Sequence, residues 1–334
     1  MLSIMHRTRL GLQIPNFTYP GVAPNQLFER VAAQAVAAEQ AGFDTVFVMD
    51  HFFQLPMLGR PDQEMFESYT LLAALAARTS TIRLGTLVTG VTYRQPALLA
   101  KAVTSLDVIS AGRALLGVGA AWFDLEHASL GFDFPPLRER FEHLADALEI
   151  CRGMFTQHAT TYAGTHHSVK DAYNVPAPIH GDIPILIGGQ GEKKTFRLAA
   201  QYAQELNTTA LFDDLPRKLD ALQGHLDDLG RARADITVTP LGSLVLASTH
   251  DEALGKMRTL LGSRGVDADQ LLADEQASKQ LLGRFVWGDP DEVIGRVQEL
   301  LAVGLDGFVV NLVADDDDTD AIALAGETLG KALA

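Results

Sequence analysis

Two adjacent titratable residues, Asp50 and His51, end an apolar run near the start of the chain. The run, Phe43 followed by Val-Phe-Val-Met at residues 46–49, is too continuous for a strand with one buried face and too short for a helix. It therefore indicates a strand that is buried on both faces of a parallel sheet. Because ligands bind at the carboxyl ends of such strands, this pair is a candidate for proton transfer and ligand binding. The alternative is a turn cap followed by an ordinary loop histidine.

A second group of candidate residues is rich in glycine. Gly117, Val118, Gly119 and Ala120 end another predicted strand, where the glycines would let a flat ring or a phosphate approach the backbone or would simply turn the chain. The sequence Gly-Gly-Gln-Gly-Glu-Lys-Lys-Thr at residues 188–195, here called the glycine run, leads into a predicted helix. Free N–H groups and the helix dipole favour an anion there. We predict a phosphate site, with a turn bearing exposed lysines as the alternative. The Gly-Lys-Ser/Thr spacing of a P-loop is absent.

The hydrophobic pattern predicts the scaffold that positions these residues. Eight predicted strands, each followed by an amphipathic helix, cover residues 9–17, 43–49, 82–91, 114–118, 183–187, 206–210, 236–246 and 308–313. This alternation indicates an α/β fold, a (β/α)8 TIM barrel, with a doubly wound open sheet as the alternative. No linker divides the chain, so we expect a single domain over residues 1–334. Insertions after helix 4 (residues 156–182, a hairpin) and after strand 7 (residues 251–283) interrupt the pattern, and we expect at least one to cover the pocket.

Composition limits the partners and the compartment. The 334 residues carry a formal net charge of -15, which argues against nucleic acid or an anionic membrane surface as the main partner. The single cysteine, Cys151, falls on the apolar face of a predicted helix and indicates a core residue in a reducing cytoplasm. Neither a signal peptide nor a transmembrane segment is predicted. No metal site is predicted either, because the aspartates at residues 315–318 suit a solvated loop and the adjacent His166 and His167 would point to opposite faces of a hairpin.

Four segments together resemble a known family. Phe-Val-Met-Asp-His-Phe at residues 47–52, Leu-Gly-Thr-Leu-Val-Thr at 84–89, Gly-Val-Gly-Ala-Ala-Trp-Phe at 117–123 and Pro-Ile-Leu-Ile-Gly-Gly at 184–189 occur in the order found in the bacterial luciferase-like superfamily. Within it, the chain is most similar to oxidoreductases that use the deazaflavin coenzyme F420. The glycine run is the most specific part of this resemblance, which covers nearly the whole length and implies a (β/α)8 barrel.

The resemblance also implies roles for individual residues. His51 would be the catalytic proton donor or acceptor, with Asp50 beside it as a catalytic and cofactor-binding residue. Relatives carry a bulge with a cis peptide, behind the central ring of the cofactor, at the place of Leu87 and Val88. The other cofactor-binding residues implied are Thr89, Gly117, Val118, Gly119, Ala120, Ile187, Gly188, Gly189, Gln190, Gly191, Lys193 and Lys194. Sugar-phosphate-oxidising relatives place a catalytic glutamate where this chain has Trp122, and Glu126 is not predicted to replace it, so this departure argues against that substrate class.

Three functions are consistent with these residues. The first is an oxidoreductase that transfers a hydride between F420 and a small organic substrate while His51 handles the proton. The second is an FMN-dependent monooxygenase of the same superfamily, and the third is a degenerate barrel that binds a cofactor without turnover. The Asp50 and His51 pair and the glycine run favour the first. The expected partner is a small-molecule substrate, and a homodimer and a monomer are both left open.

Overall fold

A closed barrel of parallel strands forms the centre of the structure, a computed structural model that describes residues 7–315 and 317–334. The described residues contain twelve strands: β1 (Leu10–Ile14), β2 (Thr45–Val48), β3 (Arg83–Thr86), β4 (Thr89–Gly90), β5 (Ala114–Gly119), β6 (Ala159–Ala163), β7 (Ser168–Tyr173), β8 (Ile185–Gly188), β9 (Glu205–Thr208), β10 (Thr237–Leu246), β11 (Phe285–Gly288) and β12 (Phe308–Asn311). Eight of them pair in the ring β1, β2, β3, β5, β8, β9, β10, β12 and back to β1, and every pair is parallel. The predicted (β/α)8 barrel is confirmed.

Helices surround this barrel. They are α1 (Leu27–Gln40), α2 (Ser68–Ala76), α3 (Pro96–Ile109), α4 (Asp124–Leu130), α5 (Leu137–Thr156), α6 (Thr195–Tyr202), α7 (Leu215–Asp228), α8 (His250–Gly262), α9 (Ala268–Ala273), α10 (Glu275–Leu282), α11 (Pro290–Ala302) and α12 (Thr319–Leu333). None of the helices in the described ranges is both long enough and apolar enough to cross a membrane.

Strand β2 shows why a continuous apolar run is needed in a barrel. Val46 and Val48 belong to the core between strands and helices, whereas Phe47 packs inside the barrel against Leu115 and Val309. Alternate side chains of a strand point to opposite faces, so a strand with two buried faces has no polar position until it ends. Asp50 and His51 are therefore the first residues of this segment that can serve chemistry. Cys151 is buried on α5, as predicted.

Three local features differ from the predicted elements. The third predicted strand, residues 82–91, is divided into β3 and β4 by a cis peptide bond between Leu87 and Val88. Strand β11, which pairs with the second half of β10, was not predicted because its four residues follow directly on a helical segment. Helix α4 was not predicted either, since it has only seven residues.

The first insertion is the predicted hairpin, formed by β6 and β7. The prediction that His166 and His167 point to opposite faces is wrong, because both lie in the turn between the two strands, where the alternation of a strand does not apply. Both rings contact His143 of α5. The hairpin tip is thus fixed against the outside of the barrel.

The second insertion consists of α8, α9 and α10, and β11 follows it. The backbone N–H of Phe212, in the loop after β9, donates a 2.9 Å hydrogen bond to the carbonyl of Gly283 at the end of this insertion. The insertion therefore reaches a loop at the carboxyl edge of the barrel, while its coverage of a ligand pocket stays a prediction. Of the acidic run at residues 315–318, Asp315 forms an ion pair with Lys256, and Asp316 lies outside the described residues.

Candidate functional site

His51 lies at the carboxyl end of β2 and is held by a buried carboxylate. Its Nδ1 atom is 2.9 Å from Oε2 of Glu126, whose side chain is fully buried, while 12% of the His51 side chain is exposed. The rings of Trp122 and Phe123 meet the imidazole edge to face, each with 5.8 Å between ring centres. An ionised carboxylate has no proton to donate, so Glu126 accepts the hydrogen bond and Nδ1 of His51 donates it. When the imidazole is neutral, Nε2 is therefore the nitrogen that can accept a proton.

Glu126 is the centre of a hydrogen-bond network that the sequence did not reveal. Its Oε1 accepts from the backbone N–H groups of Phe52 and Phe53, at 2.6 and 2.8 Å. Its Oε2 accepts from the hydroxyl of Tyr93 at 2.5 Å in addition to His51. Burial alone would raise the pKa of Glu126, but its hydrogen bond with His51, the positive charge of that imidazole when it is protonated, and the hydrogen bonds from Tyr93 and Phe53 lower it below its ordinary value. The carboxylate is ionised at neutral pH.

Helix α4 carries Glu126, and its start and stop signals are present in the sequence. Asp124 and Glu126 lie in the first turn, and Gly131 follows the last residue with a φ of 76° in the left-handed region. Acidic residues at a helix start and glycine after its end are the usual boundary signals. Because Trp122 and Phe123 precede the helix, they are brought to His51 together with Glu126.

Asp50 is engaged in a separate buried ion pair. Its two carboxylate oxygens accept from the guanidinium of Arg94 at 2.6 and 3.0 Å, and Oδ1 also accepts from the Ser68 hydroxyl at 2.7 Å. Arg94 makes a second ion pair with Glu67 and lies over the ring of Tyr69. Burial alone would lower the pKa of Arg94, but the carboxylates of Asp50 and Glu67 raise it. Asp50 thus fixes Arg94 in place, and its predicted contact with a cofactor stays a prediction.

Glycines surround the cis peptide segment at residues 87–88, between β3 and β4, which is here called the bulge. A Cβ atom added to Gly188 would lie 2.6 Å from Cγ1 of Val88, and one added to Gly119 would lie 3.0 Å from its Cγ2. A Cβ atom on Gly117 would lie 1.9 Å from the Thr86 carbonyl oxygen. Gly119 and Gly188 are therefore needed for close packing of β5 and β8 against Val88, and Gly117 is needed for close packing of β5 against the backbone of Thr86. The structure brings together the residues predicted on β3, β5 and β8, with the cis peptide at the predicted position.

Polar side chains line the barrel beneath this bulge, and the sequence analysis did not single them out. The Nε2 group of Gln13 donates a 3.3 Å hydrogen bond to the Leu87 carbonyl, and Nδ2 of Asn311 donates to Oε1 of Gln13 at 3.0 Å. Oδ1 of Asn311 is buried and has no hydrogen-bond partner in the part of the chain that the structure describes. A buried unpaired oxygen of this kind is a candidate contact for a ligand group.

The glycine run is more open than the residues around His51. Gly189 has a φ of 140°, in the region that favours glycine, and α6 begins at Thr195. Lys193 and Lys194 are exposed, and the ammonium of Lys194 lies 5.2 Å from the centre of the Phe141 ring. Glu192, directly before these lysines, forms ion pairs with Arg217 and Lys218, so its negative charge is already balanced. The run therefore presents two exposed cations and a glycine-lined backbone beside a helix start.

Comparison with known proteins identifies similar sequences and folds. Residues 8–307 match the profile of the family described as luciferase-like monooxygenase. An F420-dependent glucose-6-phosphate dehydrogenase from Microbacterium testaceum is 31% identical over 310 residues, which cover 88% of this chain and 89% of the relative.

Solved structures agree on the fold. The coenzyme F420-dependent tetrahydromethanopterin reductase from Methanopyrus kandleri is similar with a TM-score of 0.75 and 20% identity, covering 98% of this chain and 99% of that chain. A monooxygenase from Streptomyces bottropensis is similar with a TM-score of 0.79 and 21% identity, covering 98% of this chain and all (100%) of the other. A reductase and a monooxygenase thus share this barrel, so the fold alone does not distinguish between these two activities.

Proposed function

The chain belongs to the luciferase-like monooxygenase family and is an enzyme, and from this premise we propose that it transfers a hydride between coenzyme F420 and a small organic substrate. The observation that carries the proposal is the pair of His51 and buried Glu126 at the carboxyl edge of the barrel. The glycine run, which suits a phosphate, and the F420-dependent relative at 31% identity support the choice of F420 over FMN.

The residues at this edge fit the parts of the coenzyme. Val88 is half-buried on a glycine-lined bulge, so its side chain offers an apolar wall to a flat ring, and the unpaired Oδ1 of Asn311 offers a polar contact below it. Lys193, Lys194 and the backbone of the glycine run would hold the phosphate. F420, when bound, supplies the hydride chemistry of its deazaflavin ring.

Proton movement is the task of the protein's own side chains. Because Nδ1 of His51 donates to Glu126, Nε2 is the atom that would take a proton from a substrate hydroxyl or give one to a carbonyl oxygen. The ionised Glu126 stabilises the imidazolium form that exists after His51 has taken the proton. Tyr93 and the N–H groups of Phe52 and Phe53 hold the carboxylate in place, so it orients His51 and is not itself free to act as a base.

The side chains around His51 indicate which class of substrate the site accepts. Trp122 is 53% exposed beside His51, where it forms a wall of the substrate side of the site. Glu126, the nearest glutamate in the sequence, is fully engaged in hydrogen bonds beneath His51. A catalytic glutamate of the kind implied for sugar-phosphate oxidation is therefore not provided by Glu126, and a small alcohol or carbonyl compound suits the site better.

Cofactor affinity tests the proposal directly. The purified chain is titrated with F420 and, separately, with FMN, and binding is followed by fluorescence and calorimetry. We expect a micromolar or lower Kd for F420 and a Kd for FMN at least about tenfold higher, a difference of about 1.4 kcal/mol. Equal affinities, or tighter binding of FMN, would overturn the proposal in favour of an FMN-dependent monooxygenase.

A further inference from the structure

A cluster of imidazoles and carboxylates lies outside the candidate active site, between α5 and the hairpin tip. Side-chain ligand atoms of Glu139, His143 and His166 all lie within 4.8 Å of one another. Two further residues adjoin them, since Nε2 of His166 is 3.1 Å from Oε2 of Glu142 and Nδ1 of His143 is 2.8 Å from Nε2 of His167. The mechanism proposed above uses none of these side chains.

The backbone of the hairpin tip is clamped in the conformation that brings the histidines to α5. The Asp146 carboxylate accepts from the N–H groups of Thr165, His166 and His167 at 3.3, 2.7 and 3.0 Å. A Cβ atom on Gly164 would lie 2.2 Å from Oδ1 of Asp146, so a glycine is required for this approach. The tip is therefore preorganised before any ligand binds, which lowers the entropic cost of gathering the donors.

The contact between Nδ1 of His143 and Nε2 of His167 also orients the His143 ring, whose Nε2 atom lies 3.8 Å from Oε1 of Glu139. In the tautomer in which Nδ1–H of His143 donates to His167, this Nε2 atom carries the lone pair that a metal ion needs. Metal-binding histidines commonly donate their second ring N–H in this way, which fixes the orientation of the ring.

We propose that Glu139, His143 and His166 form a structural site for Zn²⁺, with Glu142 or water as the fourth ligand. Two imidazole nitrogens with one carboxylate oxygen suit Zn²⁺ better than the hard cations Ca²⁺ or Mg²⁺, which prefer oxygen alone. Donors about 2.1 Å from a tetrahedral Zn²⁺ are about 3.4 Å apart, so the ligand atoms must move closer than the observed spacing. The rings of His143 and His166 are stacked, with 4.2 Å between their centres and 17° between their planes, so the His166 ring must also rotate out of the stack for both lone pairs to point at one ion. Glu139 and His166 are partly exposed and are able to make these rotations.

A cation at this position would join the hairpin to the helix turn that supports the active-site loop. Arg140, next to Glu139, donates a 2.6 Å hydrogen bond to the carbonyl of Ala121, directly before Trp122. The guanidinium also lies over the ring of Phe134 at 4.0 Å. Binding of Zn²⁺ is therefore expected to stabilise the fold around the first two turns of α5.

The test uses the untagged full-length chain, stripped of metal with a chelator and then titrated with Zn²⁺, Mn²⁺ and Ca²⁺ by calorimetry. We expect one Zn²⁺ per chain, much weaker Mn²⁺ and Ca²⁺ binding, and a rise in Tm of at least about 2 °C with Zn²⁺. The variants H166N and E139Q change partly exposed side chains, and each should weaken Zn²⁺ binding at least about tenfold. Their Tm without metal should match that of the unmodified chain.

The matched control is H158A, which removes an exposed histidine of the same insertion that contacts Tyr173 and not the cluster. It should bind Zn²⁺ like the unmodified chain. The proposal is overturned if the unmodified chain does not bind Zn²⁺, if H166N and E139Q bind it as tightly as H158A does, or if Ca²⁺ binds as tightly as Zn²⁺.

Discussion

The two ends of the candidate active site are built in opposite ways. At the end of β2, His51 and Asp50 are each fixed by buried charged partners, Glu126 and Arg94. At the end of β8, the glycine run carries Lys193 and Lys194 in exposed positions. One region is a closed hydrogen-bond network, and the other is a set of open backbone and cationic groups.

This difference follows from what each region is proposed to do. A proton-transfer group must be held in one orientation and one tautomer, which requires buried partners with few alternatives. A phosphate can be bound through several N–H groups and mobile ammonium groups at once, so no single contact is essential. Single substitutions should therefore have large effects at the end of β2 and small ones in the glycine run.

The largest effect is expected for H51A. Loss of a positioned general acid or base typically lowers the rate about 10² to 10⁴ fold, so kcat should fall by about that factor while the Kd for F420 stays nearly unchanged. Steady-state kinetics and a binding titration measure the two quantities. The control H250A removes a half-exposed histidine that pairs with Glu292 on the surface, and its kcat should match that of the unmodified enzyme. If H51A keeps most of its activity, the proton is transferred by another group.

The next effect concerns the stability provided by Asp50. Removing one partner of a buried ion pair leaves the other charge uncompensated, at a cost of about 3 to 5 kcal/mol. The loss of stability in D50N should be near the lower limit, because Arg94 keeps its ion pair with Glu67. E67Q changes Glu67, the other partner of Arg94. The Glu67 side chain is 38% exposed and also caps α2. It should cost only about 1 kcal/mol. Chemical denaturation of both variants measures the free energies, and equal losses would contradict the assignment of Asp50 as the dominant partner.

A moderate effect is expected for E126Q, since an amide can still contact His51 but cannot stabilise its protonated form by charge. We expect kcat to fall about 10 to 100 fold, while D124N, an exposed change on the same helix, should leave it unchanged.

The lowered pKa of Glu126 also predicts a pH dependence of stability. A group whose pKa is lowered by folding stabilises the protein above its unfolded pKa, near 4.5, and this contribution is lost as the pH falls through the folded pKa. The difference in Tm between the unmodified chain and E126Q should thus be larger at pH 7 than at pH 4.

The sequence predicted where the candidate residues lie better than it predicted their partners. His51, Asp50 and the glycines were placed at the carboxyl edge because they lie at the ends of buried strands, and the eightfold repeat of that pattern also predicted the barrel. Glu126 was missed as a partner of His51 because the two are separated by 75 positions and α4 is too short to show a helical period. Arg94 was missed for the same reason, since its contact with Asp50 spans 44 positions.

The role of the glycines was also harder to predict than their place. Close packing against Val88 depends on the bulge between β3 and β4, and the hydrophobic pattern of residues 82–91 shows only a continuous strand. The resemblance to the family located the bulge, whereas periodicity did not. Likewise, the histidine cluster arises from the turn between β6 and β7, where the rule of alternating faces does not hold.

The smallest effect is expected for the lysines of the glycine run. K193A and K194A should each raise the Kd for F420 about 3 to 10 fold, because an exposed charge contributes only about 1 kcal/mol to binding of a phosphate. Neither change should alter the Tm, since both side chains are exposed. The effect should shrink at high ionic strength, where exposed charges are screened.

The matched control for the lysines is K170A, an exposed lysine on β7 that lies in the hairpin and not in the glycine run. Its Kd for F420 should equal that of the unmodified chain, and titrations of all three variants at low and high salt separate a local contact from a general loss of positive charge. Since the chain carries a net charge of -15, a general electrostatic effect would weaken binding in K170A as much as in K193A. Equal losses in the three variants would place the phosphate away from the glycine run, and the contrast between the two ends of the site would then rest on the β2 network alone.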